Sequence, residues 1–508
     1  MKRLFLSTVI FISCFGYSQV VQQDSLALVA LYNSTNGSNW YHADYWLEDV
    51  LPVEYWFGIE VRNNRVVKIK LDYNNLQGSI PAEIADLDSL SQLILSQNQV
   101  NYIPDEMGNL TTLDTLAVNG NPLTALPSGI GNLSSLKYLN INSTQISILP
   151  EEMGGMTGLE YLLGSDALIT NIPESIGNMT SLKEIDLSLN AIQSLPPSIG
   201  NLINLTRLQL NVNNLTEIPT EVQFLDNLEM LILGGNQINN IPNEVYGLSG
   251  LKFLNFAVNG IDSISPLIGN LTNLENFQFF NNNITFIPGE ITNCSNLTYL
   301  NGYGNNIDSL PPNLLQIPLS TLALMYNSLT FEDIEPIFYL PGFLYYGQDS
   351  IGKSIDTTVV LNSAYTMEIA TGGEHNEYQW FRGEEPIDGA TESQYTISEI
   401  TFEDAGIYHC EVTNTLATQL TLYTKAIHLS VTDINTAGEH NATDQIEIFL
   451  YPNPAKDRVT IDLDGNETGN RFLYEFYSST GETVISVISS ENGNTFSIRH
   501  LPEGVYYV

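Results

Sequence analysis

The 508 residues exceed one ordinary domain, so three or more structural units are expected. Seventeen Lys+Arg stand against 57 Asp+Glu, a formal net charge of −40 whose field repels phosphate and excludes nucleic acid and anionic lipid as partners. Three cysteines, Cys14, Cys294 and Cys410, are too few and too scattered for a disulfide scaffold or a Cys-based zinc site.

Lys2 and Arg3, the apolar run Leu4 to Ile12 and small residues through Ser18 predict a signal peptide over residues 1–18. Lipid attachment at Cys14 is the alternative. No later stretch holds the ~18 consecutive apolar residues that a membrane-spanning helix needs. Residues 19–65 read as a cap: Asp24 to Asn33 has helical patterning with Asp24 as N-cap, and three of the four Trp (Trp40, Trp46, Trp56) follow it.

From Val66 a pattern Leu-x-x-Leu-x-Leu-x-x-Asn-x-Leu recurs about every 23 residues, giving twelve repeats over 66–330. The ninth position is Asn74, Asn98, Asn121, Asn190, Asn213, Asn236, Asn259, Asn282, Asn305 or Asn327 in ten of them. One unit cannot bury its leucines alone, so stacking must build one continuous core. The ninth-position amide sits where the chain leaves the strand and can bond backbone groups of adjacent coils, which accounts for 53 Asn in the chain. Strands ~4.8 Å apart give a concave sheet on the order of 55 Å long. Thr144 and Ala167 break the ninth-position rule and Gly164 replaces a core leucine; the pair reads either as one weak coil or as a bend exposing a ligand subsite.

These repeats resemble the leucine-rich repeat family, with endings such as Ile172-Pro173-Glu174-Ser175-Ile176-Gly177-Asn178 similar to plant-type receptors. The cap resembles the plant-type N-terminal cap without its cysteine pair, its aromatics standing in for the disulfide. Residues 331–349 read as a C-terminal cap. Over 350–432, Trp380 and Asp404-Ala405-Gly406-Ile407-Tyr408-His409-Cys410 resemble an immunoglobulin-like domain with its tyrosine corner. Met367 or Ile369 stands where that family's first cysteine would lie, so Cys410 is expected as a buried single thiol. After a linker, 433–446, residues 447–508 carry Tyr451-Pro452-Asn453-Pro454-Ala455, Ser479-Thr480-Gly481 and Leu501-Pro502-Glu503-Gly504-Val505-Tyr506-Tyr507-Val508. These motifs resemble the C-terminal sorting domain of the type IX secretion system, which implies export to the outer-membrane surface or the medium. The family continues past the position of Val508, so a truncated domain is expected. The fold class expected is an α/β solenoid, a leucine-rich repeat horseshoe with a parallel concave sheet, followed by two all-β sandwich domains.

Catalytic chemistry is not written in this chain. The repeats carry no His, and no phosphate-loop, dinucleotide, HExxH or GxSxG motif occurs, so no catalytic residue, cofactor or metal is expected. Asp462-Leu463-Asp464-Gly465-Asn466 has only a faint calcium-loop look and reads as a polar turn. Asp-Ser/Thr triplets such as Asp262-Ser263 resemble bacterial O-glycosylation sites, with turn chemistry the equal alternative. What remains is a surface. Phe253, Asn255, Gln278, Phe280, Tyr299, Asn301, Tyr303 and Tyr326 fall at concave positions of the C-terminal repeats, rings among uncharged amides. They predict recognition of a protein, peptide or glycan, with the type IX machinery as the export partner. An adhesin with homotypic contacts is the main alternative, and a glycan hydrolase using Glu184 and Asp186 a remote one.

Overall fold

The computed structural model describes residues 20–48 and 51–433, then the strands Glu447–Tyr451, Arg458–Asp464, Phe472–Ser478, Thr483–Ser489, Asn494–Ser497 and Tyr506–Tyr507. The expected signal peptide, the linker and most residues of the three tail motifs lie outside the described residues.

The period dictates the architecture. Each repeat spends three residues on a strand, positions three to five, and the strands join one 14-stranded sheet. Its first two strands, Ile59–Arg62 and Arg65–Lys70, are antiparallel, and from Arg65–Lys70 onward the neighbours run parallel. Position four is buried and positions three and five face outward, so Leu93, Leu139 and Leu208 enter the core while Gln92, Tyr138 and Arg207 do not. The return segments are five-residue 3-10 turns, for example Ala82–Asp86 and Glu174–Asn178. Twenty-three residues leave no room for a longer helix, and a proline at the turn's N-cap (Pro81, φ −78°; Pro173, φ −70°) pre-sets the backbone.

The ninth-position amides staple coil to coil. Asn213 donates to the carbonyls of Leu187 and Leu210, both at 3.0 Å, and accepts from the Ile192 N–H at 2.9 Å. Asn98, Asn190, Asn236, Asn259, Asn282, Asn305 and Asn327 repeat this triple contact, and Asn74 ties the first repeat to the His42 backbone. Thr144 keeps only the bond within its own coil, to Ile141 O at 2.8 Å. The sheet nevertheless passes Tyr138, Tyr161 and Glu184 in register. The missing side chain at Gly164 is compensated by Leu187, Ile141 and Ile169, which crowd the space a Cβ would need. The sheet runs through the irregular pair without a break.

Two ends differ in detail from the sequence reading. The first helix spans Gln22–Ser34, and Asp24 lies inside its first turn, not at its cap. Asp24 is fully buried, where it pairs with Arg65 (2.9 Å) and accepts the Val66 N–H at 2.7 Å. Satisfying the first parallel strand and a half-buried guanidinium outweighs a cap bond. Beyond it, Tyr32, Trp40, Trp46 and Trp56 pack ring on ring at 4.9–5.9 Å and close the solenoid's end. At the other end Phe343–Leu344 adds a last strand. Gln348 there donates to Leu324 O and Tyr345 O and accepts from Leu329 N–H, the contacts of a ladder Asn. Residues 340–348 are thus a thirteenth, degenerate coil.

Past the solenoid the described elements are strands, apart from a 3-10 turn at Phe402–Asp404. Asn376–Arg382 pairs antiparallel with Gly406–Asn414, setting Trp380 opposite Cys410, and both are fully buried with Tyr408 and Met367. Cys410 is a single thiol, and burial pushes its pKa up to about 12. Glu335, in the C-terminal cap, accepts the N–H groups of Glu374 (2.9 Å) and His375 (3.0 Å) and the Asn414 amide (2.5 Å). The solenoid and residues 366–396 and 406–428 belong to one compact unit, and residues 357–365, 397–405 and 429–508 to another. In the second unit Glu447–Tyr451, Arg458–Asp464 and Asn494–Ser497 form one antiparallel sheet; Thr483–Ser489, Phe472–Ser478 and Tyr506–Tyr507 form another.

Candidate ligand-binding face

Parallel pairing converts sequence columns into surface columns. Phe253, Asn276 and Tyr299 are adjacent at position three, and Asn255, Gln278 and Asn301 at position five. Phe253 and Tyr299 are thus two strand spacings apart, about 10 Å, with Asn276 between their rings. The rings that do meet lie further along: Tyr303 and Tyr326 have centroids 5.3 Å apart, edge to face, and Tyr326 meets Tyr346 at 6.0 Å. Tyr326 is 51% exposed, and Phe253, Phe280, Tyr299 and Tyr303 are half-buried. The eight expected residues therefore share one face but do not form one continuous aromatic surface; their rings meet at the last coils, and a separate pair, Tyr138 and Tyr161 at 6.3 Å, lies at the fourth and fifth repeats.

Tyr346 was not among the expected residues. It occupies position seven of the thirteenth coil and extends a position-seven column of Phe280, Tyr303 and Met325. Only the recognition of Gln348 as a ladder residue would have revealed it in the sequence.

The amide column is partly spent on itself. Asn255 donates to Gln278 at 3.2 Å, Gln278 donates to Asn276 at 3.0 Å, and the Asn255 and Asn301 oxygens accept the N–H groups of Ala257 and Tyr303. This fixes the rotamers of the face before any ligand arrives. Position eight adds a feature that residue type conceals: all twelve residues there have left-handed backbone, from Tyr73 (φ 53°) through Leu189, Val212 and Val258 to Tyr326 (φ 54°), and only Gly120, Gly235 and Gly304 are glycine. The turn out of the strand imposes this conformation, which lifts Tyr326 toward Tyr303 and Tyr346.

A groove of about 480 Å³ runs along the start of the strands in the middle repeats, with Arg207, Met230 and Phe253 on one side and Glu229, Lys252 and Glu275 on the other. The carboxylates raised as a remote acid pair are otherwise engaged. Asp186 accepts from the Ser188 N–H and hydroxyl at 3.0 and 2.6 Å, and Glu184 lies 3.8 Å from Arg207. Among the described residues no group of three or more His, Cys, Asp or Glu gathers as metal ligands, and no helix is long and apolar enough to cross a membrane.

A family model described as a leucine-rich repeat region matches residues 60–167 and 197–301, and a second leucine-rich repeat model matches 181–202. A model for a secretion system C-terminal sorting domain matches 449–508. Among solved structures the chain is similar to a leucine-rich repeat protein of Leptospira interrogans (32% identity, 53% of this chain, 70% of that one, TM-score 0.49). An internalin from Listeria monocytogenes gives 25% identity over 57% of this chain and 85% of that one, TM-score 0.50. A PEPR1–AtPEP1 crystal structure gives 24% identity over 66% and 53%, TM-score 0.55, a likeness of fold alone. No curated protein matches.

Proposed function

We propose that this chain, which belongs to the leucine-rich repeat proteins and ends in a type IX sorting domain that delivers it to the outer-membrane surface or the medium, is a binding protein whose concave face recognises a peptide, protein or glycan. The observation that carries the reading is the edge-to-face run Tyr303–Tyr326–Tyr346 beside an internally fixed, uncharged amide column. Flat rings with ordered amides suit a sugar face or an extended peptide, and rigid tyrosines lose little entropy on binding. The reading is of binding, and the two carboxylates raised as an acid pair, Asp186 and Glu184, are engaged with Ser188 and Arg207.

The test is capture of ligands on glycan and peptide arrays by the full chain at low and high salt. Binding that survives high salt is expected, because screening weakens only charge-driven association. Replacing Phe253 and Tyr299 with Ala should weaken capture more than replacing Tyr138 and Tyr161. The reverse order would move the ligand to the fourth and fifth repeats and refute this placement.

A further inference from the structure

The residues at position two form a row beside the aromatic and amide columns, and Thr206, Glu229, Lys252 and Glu275 of it line the groove that also holds Phe253. The N–H groups of Glu160, Lys183, Thr206, Glu229, Lys252 and Glu275 each donate to the position-two carbonyl one coil earlier, at 2.8–2.9 Å. The row from Lys137 to Glu275 is therefore in strict register, one strand spacing of about 4.8 Å per step. It reads Lys, Glu, Lys, Thr, Glu, Lys, Glu. Three positive and three negative residues cancel, on a chain of net charge −40. All are exposed except half-buried Glu160 and Thr206. Two pairs close within the chain, Lys183–Glu160 at 2.5 Å and Lys252–Glu229 at 3.0 Å, and exposed pairs of this kind hold their partners weakly.

The row inverts its sign about Thr206. One step out, Lys183 mirrors Glu229; two steps out, Glu160 mirrors Lys252; three steps out, Lys137 mirrors Glu275. A two-fold contact requires this property, because residue i of one copy meets residue j of the other and j meets i. We propose that this row is a self-docking surface on which a second copy of the chain lies antiparallel, with the dyad at Thr206. Six crossings between copies then join opposite charges, and equal strand spacing keeps them aligned along the whole row. Two neighbouring registers are poorer. A dyad at Lys183 sets that lysine against itself, and a parallel shift by one coil leaves Lys183 and Glu229 facing Thr206. The neutral row also gives two strongly acidic chains a place to approach where like charge does not repel them. This contact is measured without ligand, so its outcome is distinct from that of the binding-face test.

The experiment uses two variants of the full chain, Lys183→Glu and Glu229→Lys, in sedimentation equilibrium at physiological salt. The wild type should dimerise. Each variant alone should dissociate at least ten-fold more readily, since every dyad then sets like charges together. An equimolar mixture of the two should recover the wild-type association, because in the mixed pair each crossing again joins opposite charges. Unchanged thermal melting of the variants separates this from misfolding. A monomeric wild type, variants that dimerise as tightly as wild type, or a mixture no tighter than either variant would each overturn the proposal.

Discussion

Thr144→Asn should stabilise the solenoid, which is unusual for a change at a buried position. Thr144 makes one side-chain bond, within its own coil, where Asn213 makes three, two of them to the preceding coil. The backbone already suits the larger side chain: Ser143 has φ 53° against 57° for Val212, the residue before Asn213. An Asn here would reach the Val118 carbonyl and the Leu123 N–H, the groups equivalent to Leu187 O and Ile192 N. Two added bonds at about 0.5–1.5 kcal/mol each, less the cost of ordering one amide, give about 1–2 kcal/mol. The reciprocal change, Asn213→Ala, deprives the Ile192 N–H of its side-chain partner and removes two further bonds, for a loss of about 3 kcal/mol. Urea unfolding reads both as shifts of midpoint at constant slope. A lower midpoint for Thr144→Asn, or none lost in Asn213→Ala, would refute the idea that these amides hold the coils together.

Asp24→Ala should cost about 2–3 kcal/mol, because it leaves the buried Val66 N–H without its partner and takes from Arg65 one of its two carboxylates, Asp88 keeping the other; an exposed helix cap would cost about 1, so calorimetry distinguishes the two roles. At Glu335 burial pushes the carboxyl up, but the N–H groups of Glu374 and His375 and the Asn414 amide outweigh it and hold the pKa below the usual value. Its stabilisation is therefore present above the unfolded carboxylate pKa of about 4.3 and is lost as pH falls through the lower folded value, so Glu335→Gln should flatten stability against pH in that acid range. An unchanged profile would show that the contact contributes nothing. Burial raises the Cys294 and Cys410 thiols to about 11 and about 12, so both should react with iodoacetamide only as the protein unfolds; rapid labelling of native protein would contradict their packing.

The repeat period, the Asn ladder and the buried single thiol of Cys410 were legible in the sequence because each is a core or backbone demand that few residue types meet; that Cys410 lies opposite Trp380 came from the strand register. Gln348 was not, since an amide one methylene longer fills the ladder position in a coil whose spacing has drifted. The left-handed turn at position eight was hidden by residues such as Leu189, Val212 and Val258, which tolerate it under the constraint of the stacked coils rather than by preference. Asp24 carried a cap signature, but tertiary pairing with Arg65 overrode it. Column reading at positions three and seven placed Phe253, Tyr299 and Tyr303 on one face; contact between rings depends on the turn geometry that brings Tyr326 and Tyr346 together.

The concave-face reading is tested most directly by calorimetric titration of an array-identified ligand into wild type and Tyr303→Ala/Tyr326→Ala protein. If the aromatic run is the anchor, the double variant should bind at least about thirty-fold more weakly, about 2 kcal/mol, with its melting temperature nearly unchanged because both rings lie outside the leucine core. Equal affinity of the two proteins would contradict it.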